Sequence, residues 1–136
     1  MVKLINKLKN RKGFTLIELI VVLAVLAIIM AIAVPRFMGV QKQAKIDADK
    51  STLGVIAKTA ELYYAQGKMG SGTGKYGTYT ATSGTSLTTE LQSALNEDIP
   101  DIKFQSTTDT LGSVKLYIDS NGKAKVTLGS SLTYPE

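Results

Sequence analysis

Apolar and polar positions follow three different rhythms along this chain. From Leu19 to Val34 the sequence is apolar without a break, and Phe14, Leu16 and Ile17 extend that run towards the N-terminus. The 21 residues from Phe14 to Val34 make about 31 Å of helix, close to the hydrocarbon thickness of a bilayer. The second rhythm is helical: Leu53, Ile56, Ala57, Ala60, Tyr63 and Tyr64 fall at i, i+3, i+4, i+7, i+10 and i+11, one apolar stripe able to lie on a sheet. Together these predict a helix from Phe14 to about Gln66, with Gly67 as its stop. Fully helical, it would measure about 80 Å, more than one small domain can cover.

The third rhythm has period two. Ile102 and Phe104 alternate with polar neighbours, as do Val114, Leu116 and Ile118, and then Ala124, Val126 and Leu128. Asp119-Ser120-Asn121-Gly122 joins the last two as a hairpin turn, Asn121-Gly122 tolerating left-handed dihedrals. Between helix and strands, 67–86 is a Gly/Ser/Thr-rich loop in which Tyr76 and Tyr79 mark a short strand. Leu87, Leu91, Ala94 and Leu95 predict a short helix capped by Ser86, and Pro100 closes the next turn. The expected fold is α+β: a long N-terminal helix, its first half membrane-spanning, its C-terminal half packed on a small antiparallel sheet. The corresponding segments are 1–13, 14–34, 35–66, 67–101 and 102–136.

Charge sharpens this division. The chain of 136 residues has a formal charge of +5, which invites a nucleic-acid reading. Yet Lys3, Lys7, Lys9, Arg11 and Lys12 all precede Gly13, and no acid does. Of sixteen Lys/Arg, eleven remain beyond Gly13 against eleven Asp/Glu, so that part is neutral and offers no basic face for DNA. The same asymmetry predicts a cytoplasmic N-terminus with the remainder facing outward. Cys and His are both absent. This excludes disulfides, thiolate or imidazole metal ligation, and catalysis by either group.

The apolar run also fits simpler roles. Ala31-Ile32-Ala33 offers an Ala-x-Ala pattern for a secretory signal peptide, and the run could be a plain signal anchor. Its length, the continuing helical pattern and Glu18 weigh against the signal peptide, and a plain anchor leaves Glu18 as an accident, although an ionised carboxylate at a membrane helix centre costs about 2.5–3.5 kcal/mol.

Lys12-Gly13-Phe14-Thr15-Leu16-Ile17-Glu18, with the apolar run through to Pro35, resembles the class III signal of type IV pilins and pseudopilins, most closely a major pilin. The resemblance implies removal of the leader 1–13 by a membrane-embedded prepilin peptidase, with cleavage between Gly13 and Phe14 and N-methylation of Phe14. It implies that Glu18 of one subunit meets the new Phe14 amine of a neighbour, setting the register of a homo-oligomeric helical filament. The pairing is physically reasonable, since an amine and a carboxylate each cost energy in a dry setting and offset one another when paired. It further implies residence in the cytoplasmic membrane as a precursor, a membrane assembly platform, and then an extracellular filament. Pro35 removes a helical hydrogen bond and predicts a kink. Relatives partly unwind just before this proline and many carry glycine in that stretch, where this chain has Ala27. Phe37, Ala44, Ala48 and Val55 form a second stripe of mostly small residues that could face neighbouring subunits.

Acidic residues raise two other chemistries. Asp98, Asp101, Asp119 and Asn121 carry oxygens of the type calcium takes, and secretion pseudopilins hold calcium near the C-terminus. Lys123, however, stands where a calcium loop would need an oxygen. Turn chemistry accounts for these residues, so the adopted reading has no metal and no other cofactor, with calcium as the alternative. Glu97 and Asp98 have no nucleophile or pocket signature beside them, so no enzyme or small-molecule substrate is expected. The expected function is that of a pilus subunit in adhesion and surface motility. A major pseudopilin of type II secretion or DNA uptake is the alternative. A stand-alone membrane-anchored binding module is the rival from another class.

Overall fold

The computed structural model describes residues 13–69, 76–99, 101–130 and 132–135. The basic leader up to Lys12, Gly70, Gly72, Gly74 and Pro100 lie outside the described residues. Helix α1 spans Leu16–Ala65, followed by β1 (Thr85–Ser86), α2 (Thr89–Asp98), a 3₁₀ turn (Leu111–Ser113), β2 (Val114–Ile118), β3 (Ala124–Leu128) and β4 (Leu132–Tyr134). The strands form one sheet in the order β1-β2-β3-β4, every neighbouring pair antiparallel. The architecture is thus α+β, a long N-terminal apolar helix followed by a small antiparallel sheet. Contacts divide it into two units, Met1–Val40 and Gln41–Glu136.

In the first unit every described residue is exposed, including Phe14, Leu23, Ile28 and Met30. Pro35 lies inside α1, which stays helical across Ala27 and beyond the proline.

The second unit holds the core. Leu53, Ile56, Ala57, Ala60 and Tyr63 of α1 are buried in one cluster with Leu91 and Leu95 of α2. Val114, Leu116, Ile118, Ala124, Val126 and Leu128 join them from the sheet. On β2 and β3 burial alternates with the strand period, Lys115 and Lys125 pointing outward. Helix α1 ends in a Schellman arrangement. Gly67 takes φ +70°, its N–H donates to the Tyr64 carbonyl at 2.9 Å, and the Lys68 N–H donates to that of Tyr63 at 2.9 Å. The β2–β3 turn needs glycine twice over. Gly122 has φ +79°, and a Cβ there would stand 2.6 Å from the Tyr64 ring.

Several sequence expectations are corrected. Ile102 and Phe104 belong to no strand. They are half-buried against the core, so their alternation reflects a loop that dips apolar side chains inward. The sheet instead gains β1 at Thr85–Ser86, pairing with Leu116 and Lys115, and β4, pairing with β3. Tyr76 and Tyr79 are buried core residues outside these four strands. Thr88, not Ser86, caps α2, its hydroxyl accepting from the Leu91 N–H at 3.3 Å, while Ser86 is taken up by β1. Tyr134 of β4 is half-buried, its ring beside Gly54 of α1.

One buried charge was not foreseen. Asp49 is fully buried and accepts hydrogen bonds from the Gln105 N–H at 2.7 Å, the Ser106 N–H at 2.8 Å and the Ser106 hydroxyl. Burial pushes its carboxyl up, but the Ser106 hydroxyl and the two amides outweigh that and hold it below the usual range. Lower on the helix, Glu61 accepts from the Ala124 N–H at 3.1 Å and pairs with Lys58 at 2.9 Å. Because the folded pKa of Asp49 is depressed, its stabilisation is complete above the unfolded value of about 3.9 and is lost as pH falls through the folded value. Asp49→Asn should therefore destabilise the full chain in micelles at neutral pH by about 2–3 kcal/mol. It should also flatten the melting-temperature loss between about pH 6 and about pH 3, as measured by circular dichroism at the two pH values.

Candidate functional site

The site foreseen from sequence lies wholly in the first unit, at the start of α1. Gly13, Phe14 and Thr15 precede the first helical residue, Leu16, and Phe14 is 93% exposed. Nothing lies within 4 Å of where a Gly13 side chain would project. The Gly13–Phe14 peptide bond is therefore in open, non-helical backbone, the state a protease requires.

What ends the helix there is a reciprocal cap. The Thr15 N–H donates to Glu18 Oε2 at 2.8 Å, and the Glu18 N–H donates to Thr15 Oγ1 at 3.3 Å. The Leu19 N–H donates to the Thr15 carbonyl at 3.3 Å, the first turn of the helix. This is a capping box, Thr at the N-cap and Glu three residues on, each side chain satisfying an N–H that the helix leaves unpaired. The Thr15-Leu16-Ile17-Glu18 pattern immediately before an apolar run is the sequence signature of such a box, and it adds a local role for Glu18 and Thr15 to the intermolecular one that the resemblance implies for Glu18. An N-terminal carboxylate also interacts favourably with the positive end of the helix dipole. Glu18 thus has a partner within its own chain.

The acidic residues are scattered among structural tasks. Asp98 receives the Tyr63 hydroxyl; burial, then the Asp98 carboxylate, raises the pKa of that phenol. Asp101 is exposed, at φ 56°, with Lys103 Nζ 3.6 Å from its carboxylate. Asp119 Oδ1 accepts from the N–H groups of Asn121 at 2.9 Å and Lys123 at 2.8 Å, closing its own hairpin. Among the described residues no group of three or more acids is placed to hold a metal.

Comparison with known proteins bears on the apolar end. The prokaryotic N-terminal methylation motif matches residues 8–34, which contain the Gly13–Phe14 bond, the capping box and the whole apolar run. The chain is 44% identical over 59 residues to a prepilin peptidase-dependent protein A of Clostridium perfringens, covering 43% of this chain and 42% of that protein. It is 38% identical over 56 residues to a type IV wide pilus major component of Thermus thermophilus, covering 41% and 43%. It is 38% identical over 55 residues to the type II secretion system core protein G of Pseudomonas aeruginosa, covering 40% and 39%. The matches span about two fifths of these relatives' length. No solved structure matches. The chain therefore carries a prepilin-type methylation motif and is similar to type IV pilins and pseudopilins. Its motif heads the one described helix long and apolar enough to cross a membrane.

The cap makes a local prediction. Thr15→Val removes one side of the box at a cost of about 1 kcal/mol. Carbon chemical shifts of Leu16 to Glu18 in micelles should move towards coil values, while those beyond Leu23 stay helical. Unchanged shifts at Leu16 would show that the cap does not hold the first turn.

Proposed function

We propose that this chain is the precursor of a type IV pilin, a major structural subunit of a surface filament serving adhesion and surface motility. The observation that carries the reading is an exposed apolar helix headed by the methylation motif, with the Gly13–Phe14 bond held outside the helix. In this reading the prepilin peptidase cuts that bond, Phe14 is methylated, and the basic leader is left on the cytoplasmic side. The membrane covers the apolar helix before assembly, and the helices of other copies cover it afterwards, with a membrane platform passing subunits from one to the other. Glu18 accepts the Phe14 amine of a neighbour and so fixes where the next subunit stops. Pro35 kinks the helix to let it follow its neighbours. The neutral balance beyond Gly13 supports protein–protein assembly over DNA binding, and the role is structural rather than enzymatic.

A major pseudopilin is the second reading, favoured by the similarity to a secretion core protein. Filament length separates the two. Electron microscopy of sheared surface material, with mass analysis of its subunit, should show long filaments built from a chain beginning at N-methyl-Phe14. Surface material lacking such filaments, from cells that still make the processed subunit, would favour the pseudopilin. A chain retained uncut at Gly13 would sink both.

A companion strain tests Glu18. Glu18→Val should leave cleavage at Gly13 intact, by immunoblot, yet reduce sheared filament yield at least about tenfold. Normal yield would remove Glu18 from the assembly contact.

A further inference from the structure

Away from the apolar helix, the second unit carries a groove of about 550 Å³ between α2 and the segment 102–112. That volume lies within the range of ligand-binding clefts. Gln92 and Asn96 stand one turn apart on α2 and both line it. Gln92 is oriented: its Nε2 donates one of its two N–H groups to the Leu87 carbonyl at 2.7 Å, which fixes the amide with Oε1 as the acceptor near Gly112. A Cβ on Gly112 would fall 3.9 Å from Gln92 Oε1 and 3.6 Å from Thr110 Oγ1. Gly112 is not among the residues of positive φ, so its backbone does not demand glycine. What the missing side chain provides is open space beside two oxygen acceptors.

The rest of the lining completes a consistent chemistry. Asp109, half-buried, contributes a carboxylate positioned by the Thr107 hydroxyl, which donates to it at 2.8 Å. Phe104, half-buried, supplies an apolar wall. Lys103 and Asp109 are the charged residues of the lining, and they cancel. A ligand matching this set would be uncharged, rich in hydroxyl donors, and able to lay a C–H face on an aromatic ring. We propose that this groove binds a neutral pyranose sugar, with Gln92, Asp109 and Thr110 taking its hydroxyls and Phe104 its apolar face. The proposal does not depend on the filament reading, since every residue it uses lies in the Gln41–Glu136 unit.

Amide shift titration of the full chain in phosphocholine micelles tests it. The probes are methyl β-galactopyranoside, methyl α-mannopyranoside and methyl β-N-acetylglucosaminide, with sorbitol as an acyclic control. At least one pyranoside should give saturable shifts at Gln92, Asn96 and 103–112, and sorbitol none. Gly112→Leu, which fills the groove, should weaken the response at least about tenfold. Thr110→Val removes a hydroxyl that makes no cap bond to the following turn, and should weaken binding with the spectrum otherwise unchanged. Should Gly112→Leu disturb the fold, Thr110→Val alone decides. No saturable shift with any of the three sugars would overturn the proposal. So would an equal response to sorbitol, or titrations indifferent to Thr110→Val.

Discussion

An apolar helix surface that its own chain leaves uncovered is the constraint on which the rest of this molecule turns. From Phe14 to Val40 every large apolar side chain is exposed. Removing each from water is worth about 1.5–3 kcal/mol, so the run as a whole represents on the order of tens of kcal/mol. A small domain has only about 5–15 kcal/mol of net stability. No adjustment within the second unit could offset such exposure in water. The helix therefore requires an external apolar environment, which in the proposed reading is lipid before assembly and protein in the filament.

The second unit shows how the other half of the same helix is held. Its apolar stripe supplies the bulk of the contact, but two acids fix the position along the helix. Asp49 takes three donors from Gln105 and Ser106, and Glu61 takes the first amide of β3. Burying a carboxylate without such donors would cost several kcal/mol, and with them the group becomes a specific latch. Hydrophobic contact alone would tolerate sliding by one turn, since the stripe repeats. The two acids do not repeat, and they discriminate against such slips.

The long helix, its burial stripe and the two central strands were legible because each obeys one period over many residues. Ile102 and Phe104 misled because two alternating residues do not separate a strand from a loop that folds inward. Strand β1 has only two residues, too few to show a pattern, and β4 exists through pairing with β3. Asp49 is instructive. It stands four residues before Leu53, on the line of the apolar stripe, so an acid on that face was a visible anomaly. Its partners lie 56 and 57 residues away, and no local pattern connects them. At the N-terminal end, the motif itself was legible in the sequence, and the methylation-motif match covers it. The role of Thr15 was overlooked because the charge of Glu18 drew a long-range explanation when a local one was also present.

These two explanations of Glu18 are compatible, and together they account for a carboxylate better than either does alone. Helix capping by itself would be served by glutamine, which reaches back to the same N–H without carrying a charge into hydrocarbon. An amine partner by itself would not require threonine three residues earlier. A carboxylate has two oxygens and about four acceptor sites. One oxygen, Oε2, takes the Thr15 N–H, so the group can remain fixed to its own helix while accepting a donor from outside. In the filament reading, the cap holds the acid at a defined height on the helix before any neighbour arrives. The incoming amine then meets a preorganised acceptor instead of a flexible side chain, and less conformational entropy is lost on docking. Thr15 thereby becomes a positioning residue for assembly as well as for the first turn.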